Sequence, residues 1–170
     1  MPRIFFLVLS VMFVAAACSA GAEAPVANGG DVVCAEDFCV GYPDGWEVET
    51  GPEYVSFSHP DAPEQALATV AFVNTEGVVT AAGGTWPATT ETVVRSLWTL
   101  LEQQGVASFE RMERVGEGRI SAVGSYEGGR LWTLFIPLDS RRAIGVEVRG
   151  PNKSWEPHAR LFFDQVIVTP

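Results

Sequence analysis

Residues 108–149 read SFERMERVGEGRISAVGSYEGGRLWTLFIPLDSRRAIGVEVR. Breaks at Gly116-Glu117-Gly118, Glu127-Gly128-Gly129 and Asp139-Ser140-Arg141-Arg142 divide the stretch into four runs: 108–115, 119–126, 131–137 and 143–149. Strand-like runs joined by such short turns form hairpins, so the reading is an antiparallel meander. In the last run Ile144, Val146 and Val148 share one face, with Glu147 and Arg149 on the other. In the third, Trp132, Leu134 and Ile136 alternate with Leu131, Thr133 and Phe135. A strand apolar on both faces is central and needs a cover on each side.

Working outward, the covers are amphipathic helices. Thr89 or Thr90 caps one that ends at Gly105. Val93, Val94, Leu97, Trp98, Leu100 and Leu101 fall in one sector at about 100° per residue, and Arg95, Thr99 and Glu102 point away. Glu91 and Arg95 are spaced for an i,i+4 pair. Beyond the meander Ser154 is expected to cap a last helix, with Pro157 in its first turn. Trp155, Ala159, Phe162 and Val166 form its apolar stripe, and a short strand closes the chain over 166–169. Trp98 and Trp155 are thus expected in the core on two separate helices.

Upstream, 38–42 is strand-like and stops at Pro43-Asp44-Gly45; Trp46 follows. Residues 53–58 alternate, with Val55 and Phe57 on one side, and 66–73 (ALATVAFV) is a nearly continuous apolar run. Residues 74–88, rich in Gly, Thr and Ala, are expected as a long loop interrupted at most by a helical turn; long loops of this kind tend to be functional. Trp86, beside Pro87, is the candidate contact residue there.

The first eighteen residues, MPRIFFLVLSVMFVAAAC, carry Arg3 and an apolar run too short for a comfortable membrane span of ~20 residues. The run suits the core of a secretory signal peptide. Ala15-Ala16-Ala17 leading into Cys18 resembles a bacterial lipobox, although Ala15 stands where that pattern prefers Leu. Lipidation of Cys18 is the first reading; ordinary signal-peptidase cleavage and an uncleaved anchor are the alternatives. Residues 19–31 are small and Ala/Gly-rich and read as a tether, which makes 32–170 one globular domain. Cys34 and Cys39 then meet an oxidising compartment, and four intervening residues suit a hairpin loop, so a disulfide is expected. A metal site would need soft ligands that neither Cys nor neighbouring His supplies.

The chain has 170 residues, 11 basic and 21 acidic. That balance argues against binding nucleic acid, whose affinity comes from Lys and Arg on phosphates. No Lys or Arg occurs in 19–94, which holds twelve Asp and Glu. His59, in a Pro-rich turn, is expected to face solvent, and His158 to pack near the last helix's stripe. No nucleophile elbow, zinc-protease, P-loop or calcium-loop pattern occurs.

The Tyr42-Pro43, Gly45-Trp46 element, the order of strands around one capped helix, and the closing spacing of Trp155, Ala159, Phe162 and Val166 resemble the PsbP-like fold over about 33–169. That group includes photosystem accessory proteins of the PsbP type and DcrB-like and LpqN-like lipoproteins. The resemblance implies an α+β class, an antiparallel sheet flanked by helices in an α-β-α sandwich, and a non-catalytic accessory or binding domain. Fold does not fix function. The expected function is that of a lipid-anchored envelope protein, on the extracytoplasmic side of the cell membrane, whose domain binds or scaffolds a protein partner. The alternative is a small-ligand-binding lipoprotein using a cleft near 74–88. No cofactor, metal or catalytic residue is expected, and a monomer is.

Overall fold

The computed structural model describes residues 31–35, 38–60 and 67–169. The leader, Cys18 and residues 19–30 of the tether lie outside them. The elements are β1 (Asp31–Cys34), β2 (Phe38–Tyr42), β3 (Glu47–Thr50), β4 (Tyr54–Ser58), β5 (Leu67–Asn74), α1 (Thr75–Ala81), α2 (Thr90–Gln103), β6 (Ser108–Gly116), β7 (Arg119–Tyr126), β8 (Gly129–Pro137), β9 (Arg142–Gly150), α3 (Glu156–Gln165) and β10 (Val166–Val168). β1 takes in Asp31, one residue before the expected domain start.

The meander forms as its turns dictate. Gly116, Glu117 and Gly118 all have positive φ, which suits the tight reversal from β6 to β7 and explains the two glycines there. β6, β7, β8 and β9 pair in sequence, and β9 then pairs with β5, giving a seven-stranded antiparallel sheet in the order β3-β4-β5-β9-β8-β7-β6. A second sheet, β1-β2-β10, is also antiparallel.

The two-faced pattern of β8 sets the layers. Leu131 and Phe135 pack with Val79, Val93, Val94 and Trp98 of α1 and α2. Trp132, Leu134 and Ile136 pack on the other face with Phe38 and Val40 of β2 and Ala159 and Phe162 of α3. The fold is therefore an α+β sandwich with helices on both faces of the large sheet. Thr89 caps α2, its hydroxyl oxygen accepting from Thr92 N at 3.2 Å.

Four local expectations change. Residues 74–88 are not one loop: Asn74 Oδ1 accepts from Gly77 N at 3.0 Å and caps the two-turn α1, whose Val79 is fully buried. Glu91 pairs with Arg114 of β6 at 2.9 Å rather than with Arg95, whose guanidinium lies 5.9 Å from the Phe109 ring. A cross-element partner outcompetes a local i,i+4 pair worth only a few tenths of a kcal/mol. Asn152, not Ser154, makes the capping contact before α3: its Oδ1 accepts from Ser154 N at 2.8 Å and starts a 3-10 turn over 153–155. Trp155 sits in that turn, half-buried, rather than inside the helix.

Candidate functional site

α3 lies over β2, β8 and β9, and α2 covers β6 and β7 from the opposite face. The half of the sheet made by β6 and β7 is therefore left without a helix on the α3 side. The result is a groove of about 170 Å³ between α3 and β6. Its floor is Val123, Trp132 and Leu134, with Ala159 and Phe163 on the helix wall. Its rim carries Arg111, Glu113 and Arg119 from the sheet and Glu156, Arg160 and Asp164 from α3.

Alternation along β6 and β7 puts these side chains there. Met112 packs on the α2 side, so Arg111 and Glu113 face the groove. Arg160 pairs with Glu156 at 2.8 Å, and this hydrogen bond, helped by Glu113 and Asp164, holds its pKa above the usual arginine value. Arg119 lies 3.8 Å from Glu117. Near the start of β6, Arg130 grips Glu110 with both terminal guanidinium nitrogens, and that hydrogen-bonded pairing lowers the Glu110 pKa. Arg130 Nε is buried and has no hydrogen-bond partner among the described residues.

The Tyr42-Pro43, Gly45-Trp46 element acts on the groove indirectly. Gly45 has φ +83°, which makes the turn that aims Trp46 at α3. Trp46 meets Phe162 edge-on at 5.0 Å and Phe57 lies 5.1 Å from the same ring, so the element fixes the helix that forms one groove wall. His158 packs on Trp155 of the last helix's stripe as expected, and His59 departs from its expected place. His59 is half-buried, 5.3 Å from Trp46 and 5.6 Å from Trp155, whereas His158 is exposed and stacks on Trp155 at 4.5 Å. Packing by neighbouring aromatics, not the Pro-rich sequence around it, decides the position of His59.

Cys34 and Cys39 form the expected disulfide, and they stand opposite one another where β1 pairs with β2. Trp86 is half-buried against the α1–α2 core, in the layer opposite the groove. A more open hollow of about 280 Å³ lies at the C-terminal end of α2, bounded by Glu102, Val106, Ser125 and Tyr126; burial raises the Tyr126 pKa. Both volumes lie below the ~300–1,000 Å³ of pockets that enclose a small ligand. The groove residues come from four elements, the consecutive strands β6, β7 and β8 and the later helix α3, and no single stretch carries them as a motif. The one available sign was a charged edge strand, 108–116, beside an apolar one. Among the described residues no helix is long and apolar enough to cross a membrane.

No family model matches the chain, and no curated protein matches it. The solution structure of cyanobacterial PsbP (CyanoP) from Synechocystis sp. PCC 6803 is similar over 87% of this chain and 98% of that one, with a TM-score of 0.54 and 13% identity. A crystal structure from Bacteroides thetaiotaomicron aligns over 78% of this chain and 45% of that one, at 14% identity and a TM-score of 0.42. At 13% identity the likeness to CyanoP is one of fold: the architecture is PsbP-like.

Proposed function

We propose that this chain is an exported, non-catalytic lipoprotein, anchored at Cys18 on the extracytoplasmic side of the cell membrane, whose PsbP-like domain binds a protein partner through the groove beside α3. The observation that carries the reading is the make-up of that groove. An apolar floor of Val123, Trp132 and Leu134, walled on one side by Phe163 of α3, is ringed by three arginines and three carboxylates. An apolar centre with a polar rim is the anatomy of a protein interface. The volume of about 170 Å³ suits inserted side chains better than an enclosed small molecule. The short apolar leader and the run of small residues before Cys18 support the anchored placement.

Two arms test this separately. Cys18→Ser should leave the membrane fraction or fail to mature; a variant that matures and stays bound overturns the anchor. Arg160→Glu, at an exposed rim position, should keep the wild-type stability to within the ~0.5 kcal/mol usual for surface changes while partner capture from crosslinked membranes is lost. Undiminished capture overturns the groove.

A further inference from the structure

β6 is one edge of the seven-stranded sheet and runs nine residues, against a usual ~5–6. Bulges between Phe109 and Arg111 and between Arg114 and Gly116 flank its regular segment. Bulges and charges on an edge normally discourage pairing with another chain. Here the charge order is Glu110, Arg111, Glu113, Arg114 around Met112, and it reads with inverted sign in the two directions. Glu110 is already held by Arg130 and Arg114 by Glu91. Arg111 and Glu113, both exposed, make no ion pair among the described residues.

We propose that β6 pairs antiparallel with β6 of a second copy of this chain about a two-fold axis at Met112. In that register Arg111 of each copy stands opposite Glu113 of the other. A two-fold contact is self-complementary, so one favourable pair is automatically two. Opposed residues of an antiparallel pair share a face, and Arg111 and Glu113 both lie on the groove face. Displacement by one position in either direction sets Arg111 against Arg114 or Glu110 against Glu113. By two positions it sets Arg111 against itself or Glu113 against itself. Like charges directly opposite are destabilising, so the edge rejects its neighbouring registers and accepts this one. The pairing would join the outer walls of two grooves at the axis, and it replaces the monomer expected from sequence. It stands whether or not the groove takes a partner. One strand pair is a small contact beside stable interfaces of about 1,200–2,000 Å², so the dimer is weak and forms where the chain is concentrated.

Met112→Cys in the full exported chain tests the geometry. Opposed Cα atoms at ~4.5–5.5 Å are within disulfide reach. A covalent dimer is expected on a non-reducing gel, above the background from the unmodified chain. Adding Arg111→Glu or Glu113→Arg to that variant should lower the dimer yield roughly tenfold, because each change makes two repulsive pairs. Mixing the two charge variants should restore it, since each then meets its complement. Because both charge changes are at exposed positions, folding is checked by an unchanged melting temperature. Only monomer with Met112→Cys, or a dimer yield indifferent to either charge reversal, overturns the proposal. Should Met112→Cys itself fail to fold, sedimentation of the unmodified chain against Arg111→Glu at rising concentration decides: equal masses overturn the pairing, and a dimer lost only in the variant supports it.

Discussion

The indole N–H of Trp98 on α2 donates to Thr133 Oγ1 on β8 at 3.3 Å, and both residues are buried. Thr133 Oγ1 in turn donates to Ala122 O at 3.4 Å. This polar chain has both donors satisfied, and it ties the helix to two strands of the meander. Trp98→Ala removes this tie and a side chain that is only 1% exposed. The expected loss is ~3–5 kcal/mol, a large share of a domain's stability. Thr133→Val, which orphans the indole N–H, should cost ~1–3 kcal/mol. Thermal melts rank the two, and a Trp98→Ala variant that melts with the wild type contradicts the packing described.

Gly124 of β7 lies beneath the same indole. A Cβ there would stand 2.4 Å from Trp98 Cζ3 and 2.2 Å from the Ser108 carbonyl oxygen. Gly124→Ala should therefore destabilise the domain by roughly 1–3 kcal/mol, in contrast to the slight gain usual for replacing a strand glycine. Denaturant titration beside the wild type measures it.

Much of this architecture was legible in sequence, because the decisive patterns were local. The period-two alternation of 131–136 and the short turns on either side, 127–129 and 139–142, determine strand, register and both faces of β8 without help from distant residues. The Thr89-Thr90 pair marks the start of α2 to within one residue, and the structure makes Thr89 the cap. The failures were of another kind. Asn74 as a cap was hidden in a Gly/Thr-rich stretch whose helix depends on burying Val79. The place of Trp155 depends on where Asn152 starts its turn. The groove itself is defined by where α3 ends and β6 is left bare, a relation between segments that no single stretch encodes.

The disulfide stabilises a short connection. In the chain-entropy model a ring this small contributes about 2 kcal/mol. A Cys34→Ser, Cys39→Ser double variant should lose that amount and still fold, because Phe38 and Val40 of β2 remain fully buried. Mass spectrometry of non-reduced exported material should show the linked peptide; free thiols in fresh material would contradict it.

The Glu110–Arg130 pair gives a pH-dependent increment with a defined sign. Its hydrogen bonds to Arg130 hold the Glu110 pKa below the ordinary 4.5. A carboxylate depressed on folding contributes its stability above the unfolded value and loses it as pH falls through the folded one. Glu110 is partly exposed, so the contribution is under ~1 kcal/mol. Glu110→Gln should therefore be slightly less stable than the wild type near neutral pH, and the difference should vanish in acid below the folded pKa. A gap that persists there would mean that packing, not charge, makes it.

Docking of a partner protein in the groove beside α3, as proposed, is decided by site-specific photocrosslinking in intact cells. A photoreactive residue replaces Arg160 on the groove rim in one version and exposed Gln103 at the end of α2, in the opposite layer, in the other. Docking in the groove gives one adduct of defined mass from position 160 and none from position 103. No adduct from position 160, or the same adducts from both positions, would contradict it.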